Sequence, residues 1–152
     1  MTKREVTWED LCKSSTAERC NIENVPDRSS LVNIEALIEY IVKPIYDKFP
    51  NAYITSGYRC DKLNEKVGGV KGSQHTKGQA VDLVIVIEGK TIKESIKELY
   101  WFIATDLPFD QLIIYPTFVH VSYRAVNRRQ EIINKAPNIY NDMPERVLRL
   151  GL

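Results

Sequence analysis

QLIIYPTFVHVS, residues 111–122, is the stretch on which the reading of the fold turns. Two apolar, β-branched runs, 111–115 and 118–122, flank Pro116-Thr117. Both runs read as short strands. A connection of two residues cannot return a parallel strand, so the pair must be antiparallel. Working outward, residues 52–56 read as another strand, ended by Gly57, and the run 81–87 as a buried one. Thr91 with Glu94 forms a capping box, and Ile92, Ile96, Leu99, Tyr100 and Ile103 give the helix after it an apolar stripe. Over residues 31–49 the apolar positions Leu31, Ile34, Leu37, Ile38, Ile41, Val42 and Ile45 recur at three and four, one face of a helix that Pro44 should kink or divide. Thr7 to Asp10 reads as a capping box opening a short helix, followed by a polar, turn-rich segment up to Pro26. After Tyr123 the pattern decays into a polar stretch and a tail containing Pro137 and Pro144. The expected fold class is α+β, a mostly antiparallel sheet flanked by helices.

The 152 residues amount to one domain's worth, 1–152, with material enough for a core. Hydrophobic residues make up 43% and charged residues 27%, ordinary proportions for a globular protein. A net charge of +1 gives no reason to expect nucleic acid or an anionic membrane as a partner. No run is long enough to span a bilayer, and the N-terminus shows no apolar stretch of signal-peptide length. A monomer made in the cytoplasm is expected. The odd set Cys12, Cys20 and Cys60 reads as reduced thiols and matches no zinc-knuckle spacing.

The chemistry concentrates in residues 56–82, SGYRCDKLNEKVGGVKGSQHTKGQAVD, which hold five of the seven glycines. Such a loop can wrap closely around a site, and it runs directly into a β-branched strand with an aspartate at its second position. The chain has only two histidines. His75 sits in the glycine loop; His120 lies between Val119 and Val121, where a buried imidazole needs a partner. A metal ion is an efficient partner for neutral imidazole. Two histidines with Asp82 make a three-ligand set that leaves a position open for water, the catalytic rather than the structural arrangement of zinc.

Ser73-Gln74-His75-Thr76-Lys77-Gly78-Gln79-Ala80-Val81-Asp82 resembles the Ser-x-His-x-x-Gly-x-Ala-x-Asp motif of the zinc D-alanyl-D-alanine carboxypeptidase family. That family includes phage endolysin peptidases and vancomycin-resistance dipeptidases and shares its fold with the hedgehog signalling domain. Val119-His120-Val121-Ser122 is similar to its second metal motif, and Ser56-Gly57-Tyr58-Arg59, Leu63-Asn64 and Val67-Gly68-Gly69 resemble the subgroup carried by phages and prophages. The resemblance spans about residues 6–124, leaving 125–152 as a C-terminal extension. It implies Zn2+ held by His75, Asp82 and His120, Arg59 reaching a carbonyl or carboxylate of the substrate, and Ser73 holding its backbone. The implied substrate is a peptidoglycan stem or cross-link peptide, cut by a D-Ala-D-Ala carboxypeptidase or an endolysin-type endopeptidase. The cell wall would be reached through lysis, separate export or a phage particle.

The family places an acidic general base three or six residues before the second histidine. Here those positions are Thr117 and Ile114, and counting from Phe109-Asp110-Gln111 instead gives Tyr115. If Pro116-Thr117 is a two-residue turn, Tyr115 pairs with Phe118 and Ile113 with His120, so that Tyr115, Ile113 and Gln111 share the histidine's face and Asp110 points away. A turn one residue longer reverses that parity. Three readings stand: Tyr115 orients water or stabilises the oxyanion; a carboxylate such as Asp110 or Glu131 serves as base; or the zinc belongs to a non-catalytic module that binds peptidoglycan or a protein.

Overall fold

The hairpin at residues 111–122 forms with the shorter turn. In the computed structural model, which describes residues 4–133, β3 (Gln111–Ile114) and β4 (Val119–Ser122) pair antiparallel with Ile113 opposite His120. The Tyr115 N–H donates to the Phe118 carbonyl at 2.9 Å, closing the turn around Pro116 and Thr117. β1 (Tyr53–Ser56) and β2 (Ala80–Val84) complete the antiparallel part of a sheet ordered β1-β2-β4-β3-β5. β5 (Gln130–Ile133) is its one parallel member, lying against β3. The strand expected at 81–87 leaves the ladder after Val84: Ile85 is buried, Val86 is exposed, and the Ile87 N–H turns to the Ser95 hydroxyl.

Alternation along these strands builds the core. Val81, Leu83, Leu112, Ile114, Val119 and Val121 are buried and join Ile96, Leu99, Tyr100 and Ile103 of α6 (Ile92–Asp106) in one cluster. Burying side chains of this kind is worth about 1.5–3 kcal/mol each. α6 begins at the expected capping box, in which Thr91 Oγ1 accepts from the Glu94 N–H at 3.1 Å. α1 (Trp8–Cys12) likewise starts at the Thr7–Asp10 box.

The helical stretch around Pro44 is neither broken nor uniform. α3 (Arg28–Leu37) passes into a π turn, Ile38–Val42, and then into α4 (Lys43–Lys48). Pro44 has no N–H and its ring crowds the carbonyl four residues earlier. The wider turn absorbs that conflict while Ile34, Leu37, Ile41 and Ile45 stay fully buried.

Four elements go beyond the sequence reading. α2 (Ser15–Arg19) lies in the supposedly turn-rich segment, its Ala17 N–H donating to Ser14 Oγ. α5 (Asp61–Lys66) and a 3-10 turn, Gln74–Lys77, give the glycine loop regular structure. β5 takes residues that read as decaying pattern. Pro137 and Pro144 lie outside the described residues. Cys12, Cys20 and Cys60 are free thiols. Among the described residues no helix is long and apolar enough to cross a membrane.

Candidate metal centre

The sheet register assembles the centre. Ser56 pairs with Asp82, Asp82 with His120, and His120 with Ile113, so the four residues form one row across β1, β2, β4 and β3. Opposed residues share a face. The apolar neighbours Val81, Leu83, Val119 and Val121 point to the other face and into the core. One aspartate and one histidine, each flanked by two apolar residues, are thereby brought side by side.

His75 arrives from the 3-10 turn. Ser73 caps that turn, its hydroxyl oxygen accepting from the His75 N–H at 3.2 Å. Gly78 ends it at φ +72, and a Cβ there would lie 2.4 Å from the Ser30 carbonyl oxygen. The turn therefore requires glycine both for its conformation and for its contact with α3. The imidazole is buried, with Nδ1 2.7 Å from the Gly57 carbonyl oxygen. A carbonyl only accepts, so Nδ1 carries the hydrogen and the Nε2 of a neutral ring presents a lone pair.

That lone pair meets Asp82 Oδ1 at 3.3 Å, and His120 Nδ1 lies 2.9 Å from the same oxygen. Three acceptor-capable atoms converge, all ligand atoms falling within 4.8 Å of one another. Acceptors facing one another repel unless a cation lies between them, either a proton on each ring or a metal ion. Burial works against ionisation of Asp82, yet hydrogen bonds and charge from His120 and His75 hold its carboxyl well below the usual carboxylate range. The set is anionic, nitrogen- and oxygen-donating, three-membered and oriented by a carbonyl behind one imidazole, which suits zinc.

The centre opens into a cleft of about 680 Å³. Arg59 and Ser73 line it, as do Tyr115 and Phe118, whose rings stack at 4.3 Å and 7°. Arg59 Nε is buried and has no hydrogen-bond partner among the described residues. Burial lowers the pKa of that guanidinium, and Asp82 counteracts the effect. The Tyr115 phenol is pushed above its ordinary value by burial and then by the Asp82 charge. It is a proton-bearing donor at neutral pH.

Asp110 has a different task from the basic one considered above. It is fully buried and does not line the cleft. Its carboxylate accepts from the Arg128 side chain at 2.8 and 3.0 Å, from the Arg128 N–H at 2.9 Å and from Gln74 Nε2 at 2.9 Å. Burial opposes its ionisation, but these bonds outweigh burial and hold its pKa well below the usual range. Asp110 thus ties the residue before His75 to the segment entering β5. Glu131 accepts from the Tyr100 hydroxyl and is likewise absent from the cleft wall. The sequence contained no local signal for Arg128, which reaches Asp110 from eighteen positions away. The Gly57 carbonyl, a backbone atom, is equally invisible to side-chain patterns.

A comparison with curated proteins found no match. A family model described as Peptidase M15 matches residues 4–122, spanning β1 to β4 and all three converging ligand residues. With its mixed, mostly antiparallel five-stranded sheet and helices, the chain belongs to the peptidase M15 family.

Proposed function

We propose that the chain is a zinc-dependent peptidase acting on peptidoglycan stem or cross-link peptides, as a D-Ala-D-Ala carboxypeptidase or an endolysin-type endopeptidase. The observation that carries this reading is the convergence of His75, Asp82 and His120 at the floor of an open cleft, in a member of a peptidase family. These residues would hold the zinc. When bound, the ion supplies a Lewis acid that polarises a carbonyl and acidifies a water. Arg59 directs fixed donors at the carbonyl oxygen as it gains charge. Ser73 holds the histidine turn in place and offers its hydroxyl to the substrate backbone. Tyr115 donates a hydrogen bond from a phenol that stays protonated at neutral pH.

One observation favours a second reading, a zinc-containing module that binds wall peptide or a protein without cutting it. Asp82, a proposed metal ligand, is the sole carboxylate lining the cleft among the described residues, so the customary acidic base has no counterpart there. Digestion of purified muropeptides by zinc-loaded protein, followed by mass spectrometry, separates the two. New amine termini or free D-alanine, abolished by chelator and by His75→Ala or His120→Ala, support the peptidase. Intact muropeptides that co-purify with the protein support the binding module.

A further inference from the structure

The cleft is polarised along the strands, and the polarity follows from topology. β1 and β4 end where β2, β3 and β5 begin. Residues just outside those termini emerge at one end of the sheet: Arg59 after β1, Lys77 before β2 and Arg124 after β4. All three line the cleft. None makes an ion pair among the described residues, whereas Arg128, the fourth cation on the wall, is committed to Asp110. The opposite end of the sheet carries the hairpin turn and the stacked Tyr115–Phe118 pair. The Asp82–His120 row lies between, two residues from the Ala80–Ser122 pair and two from Phe118. At ~3.3 Å per residue, each end is roughly 7 Å from the centre. An extended peptide of about four residues therefore lies with one end among free cations and the other against an aromatic wall. The net charge of +1 means that this positive rim is local and not a property of the whole surface.

Resting on the peptidase reading above, we propose that Arg124, supported by Lys77, is a specificity-determining residue that selects peptides carrying a further carboxylate beyond the group held by Arg59. The occupant of the rim is a carboxylate-rich peptide segment; the occupant of the aromatic end is a small uncharged one. Arginine matches a carboxylate with two parallel donors. Arg124 lies beyond the family match, which ends at Ser122.

The test uses two zinc-loaded full-length proteins, wild type and Arg124→Ala, with two synthetic stem peptides identical except that side-chain carboxylates are free in one and amidated in the other. Wild type takes the free acid with a KM about tenfold lower, the size of one charge-assisted hydrogen bond, at similar kcat. Arg124→Ala erases most of that difference and Arg124→Lys restores part of it. Equal KM values for the two peptides in wild type, or an undiminished preference in Arg124→Ala, overturn the proposal. If neither peptide is cut, the peptidase reading fails instead. Dissociation constants for the same peptides, measured by titration calorimetry, then decide the rim's selectivity by the same comparison. Arg124 is exposed, so its replacement leaves the melting curve in place, which separates lost recognition from lost folding.

Discussion

Replacing Asp110 with asparagine removes one charge from a densely hydrogen-bonded, buried polar cluster and leaves the shape unchanged. The carboxylate is fully buried and accepts five hydrogen bonds, three from Arg128, one from Gln74 and a longer one, 3.5 Å, from the Ser122 hydroxyl. Asparagine keeps one accepting oxygen and turns an amide donor toward donors. Breaking a buried ion pair costs about 3–5 kcal/mol when the surviving charge stays buried. The Arg128 side chain is 49% exposed and can swing into water, so the expected loss is about 2–4 kcal/mol. Its pH dependence gives an independent check. The folded carboxyl sits well below the ordinary aspartate value, so its stabilisation is present above about pH 4 and is lost as pH falls through the folded value. Asparagine does not titrate. At about pH 3 the unfolded aspartate has bound most of a proton and the folded one has not, so the gap between wild type and Asp110→Asn narrows by about 1.3 kcal/mol. Urea unfolding of both proteins at the two pH values measures it. A gap under about 1 kcal/mol at neutral pH, or one that does not narrow in acid, refutes the account of Asp110 as a buried, charged tie.

Gly78→Ala must force a Cβ to within 2.4 Å of the Ser30 carbonyl oxygen at φ +72; the expected cost is about 2–4 kcal/mol in urea unfolding, and a loss below about 1 kcal/mol would mean that the turn carrying His75 yields easily. Chelation of the zinc-loaded protein should lower Tm by about 5–10 °C, since a ligand at a hundred times its Kd adds about 2.7 kcal/mol; an unchanged Tm in wild type, or a chelator shift that persists in His120→Ala, contradicts the ligand set. Tyr115→Glu sets a carboxylate on the face of His120 at the hairpin turn. If position 115 is the station of the missing base, muropeptide turnover rises by about tenfold or more, and no gain in a folded, zinc-binding variant removes the position from consideration.

The centre was legible because its signals are local. His75 and Asp82 fall within one ten-residue stretch, and His120 interrupts an apolar alternation. Parity also carried far: a two-residue turn at Pro116 and Thr117 was enough to put Tyr115, Ile113 and Gln111 on the histidine's side, as the pairing of Ile113 with His120 bears out. What stayed hidden depends on contacts distant in sequence. β5 has four residues, half of them polar, and is a strand only because β3 offers it a free edge. Asp110 reads as a candidate base in the sequence, where the Arg128 and Gln74 side chains that surround it are not adjacent. The π turn ahead of Pro44 reflects a choice between bending and widening that packing decides, not local propensity.

The family match stops at Ser122, yet the cooperative unit does not. A chain cut there would leave β3 with an unpaired row of N–H and C=O groups, the situation that invites edge-to-edge association between molecules. It would also strand the Asp110 carboxylate in the interior with its principal cation gone. Kinship by sequence and self-sufficiency in folding therefore have different borders in this protein, and the eleven residues from Tyr123 to Ile133 that separate them supply a sheet edge, a counter-ion and part of the cleft wall.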